Sequence, residues 1–136
     1  MVPVCSAKSH LAKKRKINVQ DLKTMDVALR ERGSGTLAAV TEGLLKHQIK
    51  ISDLETRIIL GGTEALKNFL LDDTCIGFLP LRSVAKQLQS KELVRLNIPG
   101  LQISREFYFV QRQGNENDKM NNLFIKMAIA HYNQLL

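Results

Sequence analysis

Apolar residues along this chain change period repeatedly, and those changes lay out its elements. Val2 to Ser6 is a short apolar run that predicts a strand, followed by a polar loop from Ala7 to Lys16. Val19 to Leu22 predicts one helical turn, and Met25 to Leu29 a buried strand. Leu37, Val40, Leu44 and Leu45 then recur at helical spacing, predicting a helix over about 36–46. His47 to Glu55 is polar and loop-like; Thr56 to Leu60 predicts the next strand. Ala65, Leu66, Phe69 and Leu70 give the following helix its apolar face, opened by Thr63 as N-cap and closed by Asp72-Asp73.

Cys75 to Leu79 predicts a strand ended by Pro80, then a helix over about 82–89 and a short strand from Leu93 to Leu96. Pro99-Gly100 is a turn signal. Glu106 to Gln111, with Phe107-Tyr108-Phe109-Val110 at its centre, predicts the longest and most aromatic strand. The last helix is expected from about Asn117 to Leu135, with Met120, Leu123, Phe124, Met127, Ala128 and His131 on one side. Short apolar strands alternating with helices predict an α/β fold with substantial parallel pairing.

Two strand-to-helix junctions carry glycines: Gly33-Ser34-Gly35-Thr36 and Gly61-Gly62-Thr63. Glycine permits a tight turn, and the first amides of a helix lie unpaired at the positive end of its dipole. In a parallel sheet both junctions fall at strand carboxyl ends, where ligands bind if the strand order reverses. Each junction also has a purely structural reading, as a turn or, for Thr63, as a plain helix cap. Arg30 and Glu31 read as a structural ion pair.

At 136 residues the chain is the size of one domain, and 44% hydrophobic with 24% charged residues is ordinary for a globular protein. Net charge is +7, and four of the cations are consecutive, Lys13-Lys14-Arg15-Lys16. That run reads as a solvated loop. With two Tyr, five Phe and no Trp, stacking on single-stranded nucleic acid is poorly supported. Two cysteines without a CxxC spacing fit a reducing compartment, and the dispersed His10, His47 and His131 offer no metal site. No signal-peptide pattern or membrane-length apolar run occurs, so cytoplasmic is the expectation. Neither a nucleophile–base pairing nor an acidic dyad stands out, so no enzyme is expected. A phosphate-binding loop also fails, since no lysine follows the second glycine.

Taken in order, the segments resemble the effector-binding domain of LysR-type transcriptional regulators. Val4-Cys5-Ser6-Ala7-Lys8-Ser9-His10-Leu11-Ala12 is similar to the family's strand and His-Pro-Leu-Ala loop, without the proline. Ile17 to Leu22, Leu29 to Thr36 (the "RE-x-GSGT" segment), Leu60 to Lys67, Ile76 to Pro80 and Arg105 to Val110 follow in the family's order. The resemblance implies a periplasmic-binding-protein-like (type 2) lobe with a mixed, mostly parallel sheet flanked by helices. It further implies a second lobe over about 5–105, and a return strand and helix over about 106–136 that belong to a first lobe.

On this reading the chain begins at the hinge strand and lacks the DNA-binding winged helix-turn-helix, so it reads no DNA sequence by itself. The implied function is sensing of a small anionic effector in an interlobe cleft, with no cofactor. The implied effector contacts are Cys5, Ser6, Gly61, Gly62 and Thr63, with Ser34, Gly35 and Thr36 as secondary candidates. Cysteines at the family's peroxide-sensing positions are missing, because Ala38 and Leu44 stand in that stretch. His131 reads as a core or interface residue. Self-association is expected through Leu123, Phe124 and Met127. The alternative is a solute-binding lobe without a DNA role.

Overall fold

The computed structural model describes residues 1–114 and 118–134, with side chains to Tyr132, and divides into two compact units, 1–105 and 106–136. The first unit is built on a five-stranded sheet of order β3-β2-β4-β1-β5. Its strands are β1 (Val2–Ser6), β2 (Asp26–Arg30), β3 (Glu55–Leu60), β4 (Ile76–Leu79) and β5 (Leu93–Arg95). β2 pairs in parallel with β3 and with β4, whereas β1 is antiparallel to both β4 and β5. Four strands therefore run one way and β1 alone runs against them.

Three helices cover this sheet: α1 (Gly35–Leu45), α2 (Thr63–Asp72) and α3 (Leu81–Gln89). Ala39, Val40 and Leu44 of α1 join Leu29, Phe78 and Ile49 in one core cluster. Leu66 and Leu70 of α2 and Val84 of α3 join Val4, Ala28 and Leu79 in the other. Alternation along each strand sends neighbouring side chains to opposite faces. Val27 and Leu29 thus face α1 while Ala28 faces α2. β2 and β4 are buried nearly throughout, as a strand covered on both faces must be; β3, at the edge, exposes Ile59.

Between Val27 and Ala28 the register against β3 shifts by one residue, leaving Arg57 as the extra residue of a bulge. Its guanidinium lies 3.0 Å from an Asp73 carboxylate oxygen and 3.6 Å from one of Asp26, tying the amino ends of the strands together. The loop before β2 is pinned in the same way: a capping box joins Asn18 and Asp21, and Leu22 is fully buried beneath it.

The second unit contains α4 (Lys119–Gln134); Asn117 and Leu135, the expected bounds of that helix, lie outside the described residues. The expected aromatic strand over 106–111 does not form. A strand exists by hydrogen bonding to a neighbour, and no described strand offers Glu106 to Gln111 a ladder. Apolar, β-branched and aromatic composition alone does not make one. Phe107 instead meets Tyr132 of α4 edge-on, with ring centroids 6.2 Å apart.

Close packing of α2 on β4 depends on Gly77, where an added Cβ would collide with the Leu70 side chain. Gly61 has open space at the same position and no positive φ. Gly77→Ala is expected to lower the unfolding free energy by about 1–3 kcal/mol through overpacking. Gly61→Ala is expected to stay near neutral, and urea midpoints at unchanged slope measure both.

Candidate functional site

β2 ends in Arg30 opposite Leu60, the last residue of β3, so the two glycine junctions leave adjacent parallel strands side by side. From there the chain of β2 turns to α1 on one face of the sheet, and that of β3 turns to α2 on the other. Adjacent strands whose connections depart to opposite faces open a crevice at their carboxyl ends, the switch point at which α/β sheets bind ligands.

The crevice is bridged by side chains. Arg30 Nε and Nη2 donate to the two carboxylate oxygens of Glu31 at 2.7 and 2.9 Å, and Nη1 donates to Thr63 Oγ1 at 2.8 Å. The backbone adds a link, Glu31 N–H to Leu60 carbonyl at 3.2 Å. Arg30 is mostly buried, with 12% of its side chain exposed, and Glu31 is half-exposed at 42%. The fork geometry of guanidinium on carboxylate is the strongest form of this pair.

Thr63 is the first helical residue of α2; the N-cap is Gly62, with φ of 87° and no side chain to satisfy the helix amides. Thr63 therefore does not cap as the sequence predicts. Its hydroxyl oxygen accepts from Arg30 instead. The Glu31 carboxylate, reaching across from β2, takes the Gly62 amide and supplies the negative charge that the helix start favours. Arg30 above all, with these backbone donors, holds the Glu31 carboxyl down to about 2.

On the α1 side Ser34 is the N-cap, accepting from the Thr36 amide at 3.2 Å, and Gly33 takes φ of 83° in the turn before it. Thr36 is buried, while Ser34 and Gly35 are half-buried. Arg105 packs over this first turn: a Cβ on Gly35 would lie 2.8 Å from its guanidinium. The Gly33–Thr36 and Gly61–Thr63 junctions thus share one rim.

Cys5 and Ser6 do not reach that rim. β1 runs against β4, so Val2 pairs with Leu79 at the carboxyl edge, and Ser6 falls at the amino edge beside Leu93. Cys5 is fully buried, its thiol pushed up by that burial. Ser6 is 1% exposed; its hydroxyl donates to the Leu71 carbonyl at 3.1 Å and accepts from the Lys8 amide at 3.2 Å. Cys75 is also buried, and burial together with Asp73 raises its thiol to about 12. Both thiols are unreactive as placed. The single reversed strand is what separates Ser6 from Thr63, and no local sequence pattern records that reversal.

Comparison with known proteins places this chain in a family. The LysR substrate binding domain model matches residues 1–133. The chain belongs to the LysR substrate-binding domain family.

Among curated relatives, it is 24% identical over 131 residues to the HTH-type transcriptional activator CmpR of Synechocystis, covering 96% of this chain and 42% of that protein. It is 30% identical over 110 residues to the HTH-type transcriptional regulator CbbR of Rhodospirillum rubrum, covering 80% of this chain and 35% of that one. The chain thus spans about two fifths of the relatives it matches. Among solved structures, the Synechocystis CcmR regulatory domain in complex with 2-PG aligns with a TM-score of 0.78 at 26% identity, over 95% of this chain and 61% of that one. The effector binding domain of QuiR in complex with shikimate shares the fold, with a TM-score of 0.74 at 18% identity, over 96% and 59%. The type 2 periplasmic-binding-protein-like architecture of the LysR domain follows from these neighbours. Among the described residues no cluster of His, Cys, Asp and Glu could hold a metal, and no helix is long and apolar enough to cross a membrane.

The Arg30–Glu31 bridge makes a titration prediction for this LysR domain. Because the folded-state pKa of Glu31 is depressed, the ionised form stabilises the fold. That contribution is present above the ordinary carboxylate range near 4.5 and is lost as pH falls through about 2. Carbon-detected NMR of the Glu31 carboxyl is expected to give a midpoint near 2, returning toward the ordinary value in Arg30→Gln.

Proposed function

We propose that this domain senses a small anionic effector at the carboxyl-edge rim between β2 and β3, within a LysR-type transcriptional regulator. The observation that carries the reading is the switch-point crevice, where two helix starts and the Arg30–Thr63 bridge converge. A ligand there meets the Thr63 hydroxyl, which accepts from Arg30 and keeps its own proton to donate. It also meets the half-buried Ser34 and Gly35 and the exposed Gly61 and Gly62. An acid group entering the crevice competes with Glu31 for Arg30, because both offer a carboxylate-like fork to one guanidinium. The relatives' names as transcriptional regulators, and the 2-PG and shikimate held by the neighbouring domains, support a small-molecule effector. Cys5 and Ser6 serve the fold in this reading rather than the ligand.

The first lobe of the family's two-lobed plan, closing over the rim, completes an interlobe cleft. Effector binding then shifts the balance between arrangements of a DNA-bound oligomer, by as much as its affinities for them differ. The chain contributes recognition of the effector and no chemistry, in cytoplasmic surroundings.

Thermal-shift screening of small carboxylates and phosphorylated acids against the regulator carrying this domain tests the proposal. A stabilising acid is expected, and Thr63→Val is expected to weaken it about 5- to 30-fold, the loss of about 1–2 kcal/mol for one buried hydrogen bond. A stabilising acid whose affinity ignores both Thr63→Val and Arg30→Met would overturn the rim as the site.

Self-association belongs to the same proposal. Leu123, Phe124 and Met127 of α4 are each more than half exposed, and contiguous apolar surface of this kind is usually covered in solution. Sedimentation velocity is expected to show a concentration-dependent dimer or larger species, reduced in Phe124→Ser. A monomer across the micromolar range would contradict it.

A further inference from the structure

The consecutive cations Lys13, Lys14, Arg15 and Lys16 are not a loose solvated loop. The turn that carries them is anchored at both ends. Leu11 and Ile17 are buried in the core under one face of the sheet, at 3% and 2% exposure. The Lys14 amide donates to the Leu11 carbonyl at 3.1 Å, closing a 3₁₀ turn over His10–Lys13. Asn97, just beyond β5, then holds the outgoing chain twice. Its carbonyl accepts from the Ile17 amide at 2.9 Å, and its side-chain amide donates to the Arg15 carbonyl at 3.2 Å.

All four basic side chains are exposed on this fixed backbone, and none makes a salt bridge among the described residues. The sequence offers no relief nearby: between Cys5 and Gln20 there is not one acidic residue. Asp21, the nearest acid along the chain, has its carboxylate engaged by the Asn18 amide at 3.3 Å. Some cations elsewhere are paired, as Lys8 with Asp72, Lys46 with Glu42, Arg57 with Asp73 and Lys67 with Glu64, whereas no acid of the sequence lies within this segment to do the same. Adjacent like charges held together repel one another, so an ordered, uncompensated run concentrates positive potential at this turn.

We propose that this turn contacts the phosphate backbone of duplex DNA, independently of base sequence. Lysine binds phosphate as a point charge and arginine as a fork, and neither requires the aromatic platforms that this chain lacks. The choice of DNA over other polyanions rests on the regulator reading above, in which the domain works beside a DNA-binding segment. The turn adds affinity through counterion release and selects no sequence.

Fluorescence anisotropy of the 136-residue chain with a labelled 30-bp duplex of arbitrary sequence tests this. Log affinity is expected to fall with log salt at a slope of about 3 to 4, the value for roughly four neutralised phosphates. The combined variant Lys13→Gln, Lys14→Gln, Arg15→Gln, Lys16→Gln is expected to lose at least tenfold in affinity at low salt and most of that slope. Its circular dichroism and melting temperature are expected to remain those of the parent, since all four side chains are exposed. A control removing four exposed cations elsewhere (Lys46, Lys50, Lys86 and Lys126, each to Gln) is expected to lose far less.

Equal losses in the two variants would show binding by net charge alone and overturn the proposal. So would absence of binding at low salt, or equally tight binding of polyglutamate at matched charge. Failure here is separable from failure of the effector reading, because acid-induced thermal shifts are measured on the same quadruple variant and do not depend on the turn.

Discussion

The bridge of Arg30 to Glu31 and Thr63 is the contact on which the arrangement of this domain's carboxyl edge depends. Parallel strands do not hold their exits together by themselves; each connection leaves for its own helix. Here the exits depart to opposite faces, so the sheet's hydrogen bonds end where the crevice begins. A single buried guanidinium spans the gap, gripping a carboxylate from β2 and a hydroxyl from α2. Glu31 also fills the role that a side chain at Gly62 would otherwise play, since a glycine N-cap has nothing to offer the helix amides. Gly62 is tolerated as a cap because its partner arrives from another strand.

That arrangement alters how the two glycine junctions are understood. A helix start after a glycine turn invites an anion, and Gly61-Gly62-Thr63 reads that way from sequence. In the structure an anion is already there, and it is part of the protein. Under the proposed reading, an incoming acid would face a pre-polarised crevice, with a guanidinium in place and an internal carboxylate to displace or share. On that proposal, the cost of displacing Glu31 would lower affinity for weak acids and leave groups with two or more acceptor oxygens as the better competitors for the fork. On the same proposal, internal occupation of this kind would act as a selectivity filter as much as a stabilising pair.

Most of the first unit was legible in the sequence because its signals are local. The periods of Leu37 to Leu45 and of Ala65 to Leu70, the glycines at strand ends and Pro80 after β4 each place an element within a residue or two. The 106–111 segment misled for the complementary reason. Phe107 to Val110 has strand composition, but a strand needs a partner ladder, and that is a property of the whole assembly of strands. Cys5 and Ser6 are parted from the Thr63 rim by topology: their strand is correctly predicted, but its reversal against β4 sends Ser6 to the far edge from Thr63. Arg30 and Glu31 were legible as a pair, yet their hold on Thr63 and the Gly62 amide depends on the β2–β3 register, bulge included.

The connection that follows the reversed strand carries the domain's other concentration of charge. With β1 antiparallel, the chain emerges from Ser6 at the amino edge, the edge at which β2 also begins, and the connection between them packs Leu11, Ile17 and Leu22 against one face of the sheet. That connection is the one carrying Lys13 to Lys16, moored by Leu11 at its start and by Ile17 and Asn97 at its end. Its order comes from packing: a connection laid along a face is pinned to that face by its apolar residues. The positions between the pins point outward by necessity. Filling four successive outward positions with cations is not demanded by that packing, since any polar residue would satisfy it. Packing explains why the turn is rigid and exposed, and leaves its charge to be explained by what it meets.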